Sequence, residues 1–202
     1  MKVGMIFECG PEGADVKVCT YLAQRLRPDI VISSVTLNNK PNLVAECGAA
    51  AAQLLQDGCE RVVIVWDLYP PWREKKAKPC RREDRINIFQ SLTNAGVDHG
   101  RVYLVCIREE LEAWLLADQR ALESLLSRPT RPASVSESRY PERTRNPKAR
   151  MQQIFREHGR TYIDLLDADK IVKELPDLRR LYRRCETFQR FALKVADLRS
   201  LD

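Results

Sequence analysis

Apolar residues in this chain come in short bursts, and each burst is followed by a stretch in which they recur every three or four positions. The first burst, residues 3–7, halts at Glu8-Cys9-Gly10-Pro11-Glu12-Gly13, where two glycines and a proline disfavour further strand. From Ala14 onward Val18, Tyr21, Leu22 and Leu26 fall at helical spacing, and Pro28 ends the pattern. The unit then repeats. Residues 30–37 are rich in β-branched side chains, and residues 42–57 have the Ala and Leu content of a helix closed by Gly58. The third burst, 61–66, runs through Val62, Val63, Ile64, Val65 and Trp66 to Asp67, an uninterrupted hydrophobicity that suits a central parallel strand covered on both faces. Residues 83–95 predict a third helix stopped by Gly96, and 102–107 a fourth strand. Strands alternating with helices predict an α/β fold: a mostly parallel four-stranded sheet flanked by helices.

Residues 109–126 predict one strongly periodic helix carrying Leu111, Trp114, Leu115, Leu122 and Leu125, with Trp114 facing the core. The composition then changes. Residues 127–147 are rich in Pro, Ser and Arg and read as a long loop suited to binding, and 148–202 read as a helical C-terminal extension broken at Pro176. The expected organisation is an α/β domain over 1–126, the basic loop over 127–147, and an extension over 148–202 packed on the same domain.

With 202 residues, 44% of them hydrophobic, the chain can bury one large core. The net charge of +6 favours anionic partners without identifying them. Seven cysteines, an odd number without a C-x-x-C pair, read as reduced thiols, and the short apolar start before Glu8 is too brief for a secretory signal. A cytoplasmic protein without a membrane segment is expected. No G-x-x-x-x-G-K-[ST] loop, no G-x-S-x-G elbow and no metal-ligand spacing around His99 or His158 occurs.

The chemistry is expected at the C-terminal rim of the sheet, where loops converge and ligands of open parallel sheets collect. Glu8 and Asp67 each follow a strand on that rim. Two carboxylates about 4 Å apart repel by on the order of 4 kcal/mol at an effective dielectric near 20, so a shared proton or a divalent cation must relieve them. Mg²⁺ or Mn²⁺ suits such a pair, because Mg²⁺ takes one or two carboxylates and fills its other positions from water and phosphate. Each acid alone also fits an ordinary cap of the helix after it. Glu12 is equally close to the first loop, Asp15 reads as a first-turn acid, Glu112 is a candidate third carboxylate, and Asp118 is either site-facing or solvated. Lys75, Lys76, Lys78, Arg81 and Arg82 form a basic segment after Asp67 suited to a nucleic-acid backbone, and Tyr69 and Trp72 interleave with it for stacking. Arg179, Arg180, Arg183 and Arg184 read as a solvated helical face.

Several stretches together resemble domain-of-unknown-function family 4276, a Toprim-like group. They are Glu8-Cys9-Gly10-Pro11-Glu12-Gly13-Ala14-Asp15, Val63-Ile64-Val65-Trp66-Asp67, Glu110-Leu111-Glu112-Ala113-Trp114-Leu115-Leu116-Ala117-Asp118, Asn146-Pro147-Lys148-Ala149-Arg150 and Cys185-Glu186-Thr187-Phe188-Gln189-Arg190-Phe191. The resemblance implies a Toprim-like fold with Glu8 and Asp67 as catalytic Mg²⁺ ligands for DNA or RNA strand chemistry, often beside an ATPase partner in bacterial defence. Asp67-Leu68-Tyr69 departs from the Asp-x-Asp that a strict Toprim carries, because Tyr69 replaces the second acid. Two functions follow as expectations: a Mg²⁺-dependent nuclease, or a non-catalytic regulatory or binding subunit.

Overall fold

The structure, a computed structural model, describes residues 1–69 and 79–201. Four strands, β1 (Lys2–Phe7), β2 (Val31–Thr36), β3 (Arg61–Asp67) and β4 (Val102–Ile107), are connected through helices α1 (Ala14–Leu26), α2 (Lys40–Gln56) and α3 (Arg81–Asn94). They form an all-parallel sheet in the order β2-β1-β3-β4. The two central strands carry the apolar runs that the sequence made conspicuous, and Val3, Met5, Ile6, Phe7, Val62, Val63 and Ile64 are fully buried.

Side chains of a strand alternate between faces, so each central strand feeds two cores. Met5, Phe7, Val63 and Val65 face α1, where they meet Val18, Cys19 and Leu22. Ile6, Val62, Ile64 and Trp66 face α2 and α3, where they meet Leu43, Cys47, Leu54, Ile88 and Leu92. The second layer requires a small residue at Gly48. A Cβ there would stand 2.2 Å from the Ser91 carbonyl oxygen, so α2 and α3 touch backbone to backbone.

The single helix expected over 109–126 is two: α4 (Glu112–Leu115) and α5 (Gln119–Leu126). Glu109 has φ of 65°, which keeps the helix from starting there, and Asp118 takes an extended backbone. The Asp118 carboxylate accepts the Arg120 N–H at 3.1 Å and restarts the helix as its N-cap. The tail forms α6 (Pro147–Glu157), α7 (Asp164–Lys173), α8 (Arg179–Arg184) and α9 (Glu186–Ala196). Phe155, Ile171, Phe188 and Phe191 from it share the core beneath α1.

Residues 127–146 lack long elements but are fastened to these helices. Glu142, in a 3₁₀ turn at Pro141–Arg143, accepts the Glu186 and Thr187 N–H groups at 2.8 and 3.0 Å as well as the Thr187 hydroxyl, which itself accepts Trp114 Nε1–H at 2.8 Å. Arg180 and Arg184, expected on a solvated face, instead reach Glu137, and Arg184 also donates to the Ala117 carbonyl at 2.6 Å. All seven cysteines are unpaired thiols. Among the described residues no helix is long and apolar enough to cross a membrane.

Candidate functional site

From β1 the chain moves outward to β2, then crosses back to place β3 on the other side of β1. The crevice between the C-terminal ends of β1 and β3 is therefore a topological switch point, where open α/β sheets receive ligands. Phe7 stands opposite Val65, so the residues just beyond, Glu8 and Asp67, arrive on one rim. The Asp67 N–H donates to Glu8 Oε1 at 2.8 Å, and the Leu111 N–H donates to Asp67 Oδ2 at 3.2 Å. The other oxygen of each, Glu8 Oε2 and Asp67 Oδ1, is buried and accepts no hydrogen bond from any described residue.

A buried carboxylate oxygen without a donor is costly when charged, and a second carboxylate beside it adds repulsion. Burial pushes the Glu8 carboxyl up to about 8, against the opposing pull of Lys40 and the Asp67 amide. Burial raises Asp67 well above the ordinary carboxylate range, and Asp15, Glu8 and Glu112 raise it further. Burial with unpartnered oxygens therefore favours the protonated form of both groups unless a positive charge joins them.

These groups open onto a cavity of about 510 Å³ whose polar walls include Asp15, Tyr69, Glu112 and Lys148. Glu112 is 5% exposed and accepts the Tyr162 hydroxyl at 3.1 Å. Burial raises its carboxyl to about 7. Asp15, half-buried, is raised chiefly by desolvation and interacts with the Cys9 thiol, whose own pKa burial pushes up. The loop between them turns tightly, with the Gly13 N–H on the Gly10 carbonyl at 2.8 Å. A Cβ at Gly13 would meet Cys9 Sγ at 2.4 Å, so only glycine lets the loop close this far.

Glu8, Asp67 and Glu112 are thus brought to one cavity. Glu12 stands exposed at its mouth, paired with Lys17 at 3.3 Å. Tyr69, 40% exposed, lies between it and a neighbouring hollow of about 590 Å³ bounded by Glu109 and Arg145. Asp118 does not reach the cavity: fully buried, it caps α5 and pairs with Arg120 and Arg180. Arg81 lines a separate hollow and Arg82 is exposed at the start of α3, whereas Lys75, Lys76, Lys78 and Trp72 lie outside the described residues.

Lys148, Asp164 and Tyr162 escaped the sequence reading as members of the site or its support. Lys148 pairs with Asp164 on the cavity wall, and its N–H donates to Glu110 Oε2 at 3.3 Å. Tyr162 binds Glu112 from fifty positions away. The available signal was the start of α6, where Pro147 occupies the first turn and the Asn146 side chain accepts the Ala149 N–H at 2.9 Å. It locates a helix but not what the helix faces.

Among the described residues no three His, Cys, Asp or Glu side chains form a ready-made metal cluster. A hard cation that keeps several waters does not require one. Two unpartnered carboxylate oxygens on adjacent strand ends fit Mg²⁺ or Mn²⁺, which would draw its remaining ligands from water and phosphate.

Fold and site together define an α/β protein with an acidic cleft at the switch point of a parallel sheet. The chain belongs to the family described as Domain of unknown function (DUF4276), whose model matches residues 17–196. That span includes Asp67, Glu112 and Lys148, while Glu8 precedes it. No curated protein and no solved structure matches the chain.

Proposed function

We propose that this chain processes phosphodiester bonds of nucleic acid in a Mg²⁺- or Mn²⁺-dependent, Toprim-like manner. Glu8 and Asp67 are the cation ligands and Glu112 is the assisting carboxylate. The observation that carries the reading is the pair of buried, unpartnered oxygens, Glu8 Oε2 and Asp67 Oδ1, at the switch point. A bound divalent cation supplies charge neutralisation at phosphate oxygens and acidifies water. Glu112, with a pKa near 7 and a hydroxyl donor on one oxygen, is suited to hold or accept a proton at neutral pH. Tyr69 offers an exposed ring for a base beside the cleft. ATP hydrolysis, if coupled, belongs to a separate partner protein, since the chain has no phosphate-binding P-loop. Seven free thiols agree with a reducing, cytoplasmic setting.

Tyr69, in place of a second acid two residues after Asp67, favours one other reading, a non-catalytic subunit that binds nucleic acid or an ATPase. Purified protein incubated with single- and double-stranded DNA and RNA decides between them. Cleavage that needs Mg²⁺ or Mn²⁺ and is lost in Asp67→Asn and Glu8→Gln supports the nuclease, and cation binding without cleavage supports the second reading. Cleavage undiminished in Asp67→Asn, or no cation binding at all, overturns the assignment of the pair.

A further inference from the structure

A second feature of the same rim is basic. Leu68, the residue after Asp67, lines a hollow of about 140 Å³ together with Arg81, Cys106, Arg108 and Arg190. Leu68 is tied to β4 through its N–H on the Ile107 carbonyl at 2.9 Å, so the hollow sits at the β4 side of the rim that carries the acid pair. Its volume is well below the roughly 300 Å³ at which whole small-molecule ligands are usually held, and it suits a small anion. Its two acids are engaged. Glu142 receives two N–H groups and the Thr187 hydroxyl, and Glu186 pairs with Arg190.

The exposed side chains of Arg81 and Arg108 make no hydrogen bond or ion pair with any described residue. Arg81 also occupies the first turn of α3, where the helix dipole disfavours a cation. Partial desolvation, together with Arg190 and Arg85, holds its pKa below the ordinary guanidinium value. With Glu186 held by Arg190 and Glu142 by the α9 N–H groups, the hollow gathers more guanidinium than carboxylate, which points to an anion supplied from outside, and guanidinium groups match phosphate oxygens by geometry as well as charge.

We infer that Arg81, Arg108 and Arg190 form a seat for a backbone phosphate of the nucleic acid, one step along the rim from the acid pair. This rests on the reading of Glu8 and Asp67 given above, and it adds where the strand lies: across β4, with a phosphate in the arginine hollow.

The test uses this whole chain carrying Asp67→Asn, which on the proposed function should bind without cutting, and DNA and RNA oligonucleotides titrated at several salt concentrations. Adding Arg81→Gln and Arg108→Gln should weaken binding roughly tenfold and make the log–log salt slope shallower by about one in all, the loss of a single phosphate contact. Arg156→Gln with Arg183→Gln removes equal charge at exposed positions outside the hollow and should leave the slope unchanged. Equal losses in both double variants, or no loss in the first, overturn the seat while leaving the acid pair standing if the unmutated protein cleaves. Inorganic phosphate bound at the arginines with oligonucleotide affinity unaltered also overturns it. Failure of the unmutated protein to bind any nucleic acid removes both readings together.

Discussion

At Glu8 a single hydrogen bond decides the chemistry of a whole carboxyl group. One oxygen is fixed by the Asp67 amide, and the other is left buried without a donor. The folded chain keeps the Glu8 proton to about pH 8, whereas the unfolded chain releases it near 4.5. For this group cation-free stability is therefore greatest below about pH 4.5 and falls as pH climbs towards 8, because the folded state binds the extra proton throughout that window. Thermal melts in chelator should show that decline, and Glu8→Gln, which cannot ionise, should flatten it. Mg²⁺ or Mn²⁺ competes with the same proton, so cation stabilisation should strengthen from pH 6 to pH 8 in the native protein and vanish in Glu8→Gln. A melting curve equally insensitive to pH in both proteins would remove the proton from the account.

Among the elements, the contacts that fix the rim come from far along the chain. Glu142 satisfies the first N–H groups of α9 and, through Thr187, the Trp114 indole of α4. Glu142→Ala leaves those donors buried and should cost about 2–4 kcal/mol, a fall of roughly 5–15 °C in Tm, while Glu142→Gln, which keeps an acceptor, should lose less than half of that. Gly48→Ala drives a methyl group into the Ser91 carbonyl and should cost about 1–3 kcal/mol without altering cation affinity, because Gly48 lies midway along α2, away from the end of the helix that starts at the rim. The strands were legible because 61–66 is apolar at every position after Arg61, which only a strand buried on both faces needs. The break between α4 and α5 was not. Leu111, Trp114, Leu115, Leu122 and Leu125 keep one helical period across it, and the cap formed by Asp118 is invisible to periodicity. The acid pair was legible because each member stands at the end of an apolar run, Glu8 just after β1 and Asp67 as the last residue of β3, whereas Tyr162 and Lys148 join the site through tertiary packing that no local spacing encodes.

For the molecule as a whole, the order β2-β1-β3-β4 turns a sequence separation of more than fifty residues into adjacency. The central strands deliver Glu8 and Asp67 to one crevice, the tail supplies Lys148 and Asp164 to its wall, and a basic hollow follows along the rim. The net charge of +6 therefore conceals a division between an acidic cleft, suited to a cation, and arginines suited to the polyanion that the cation would act upon. The central claim is tested most directly by a crystal soaked in Mn²⁺ near pH 8 and examined for anomalous scattering. The account predicts a peak within coordination distance of both Glu8 Oε2 and Asp67 Oδ1. Ordered carboxylates with no peak between them, or a peak bound elsewhere, would contradict it.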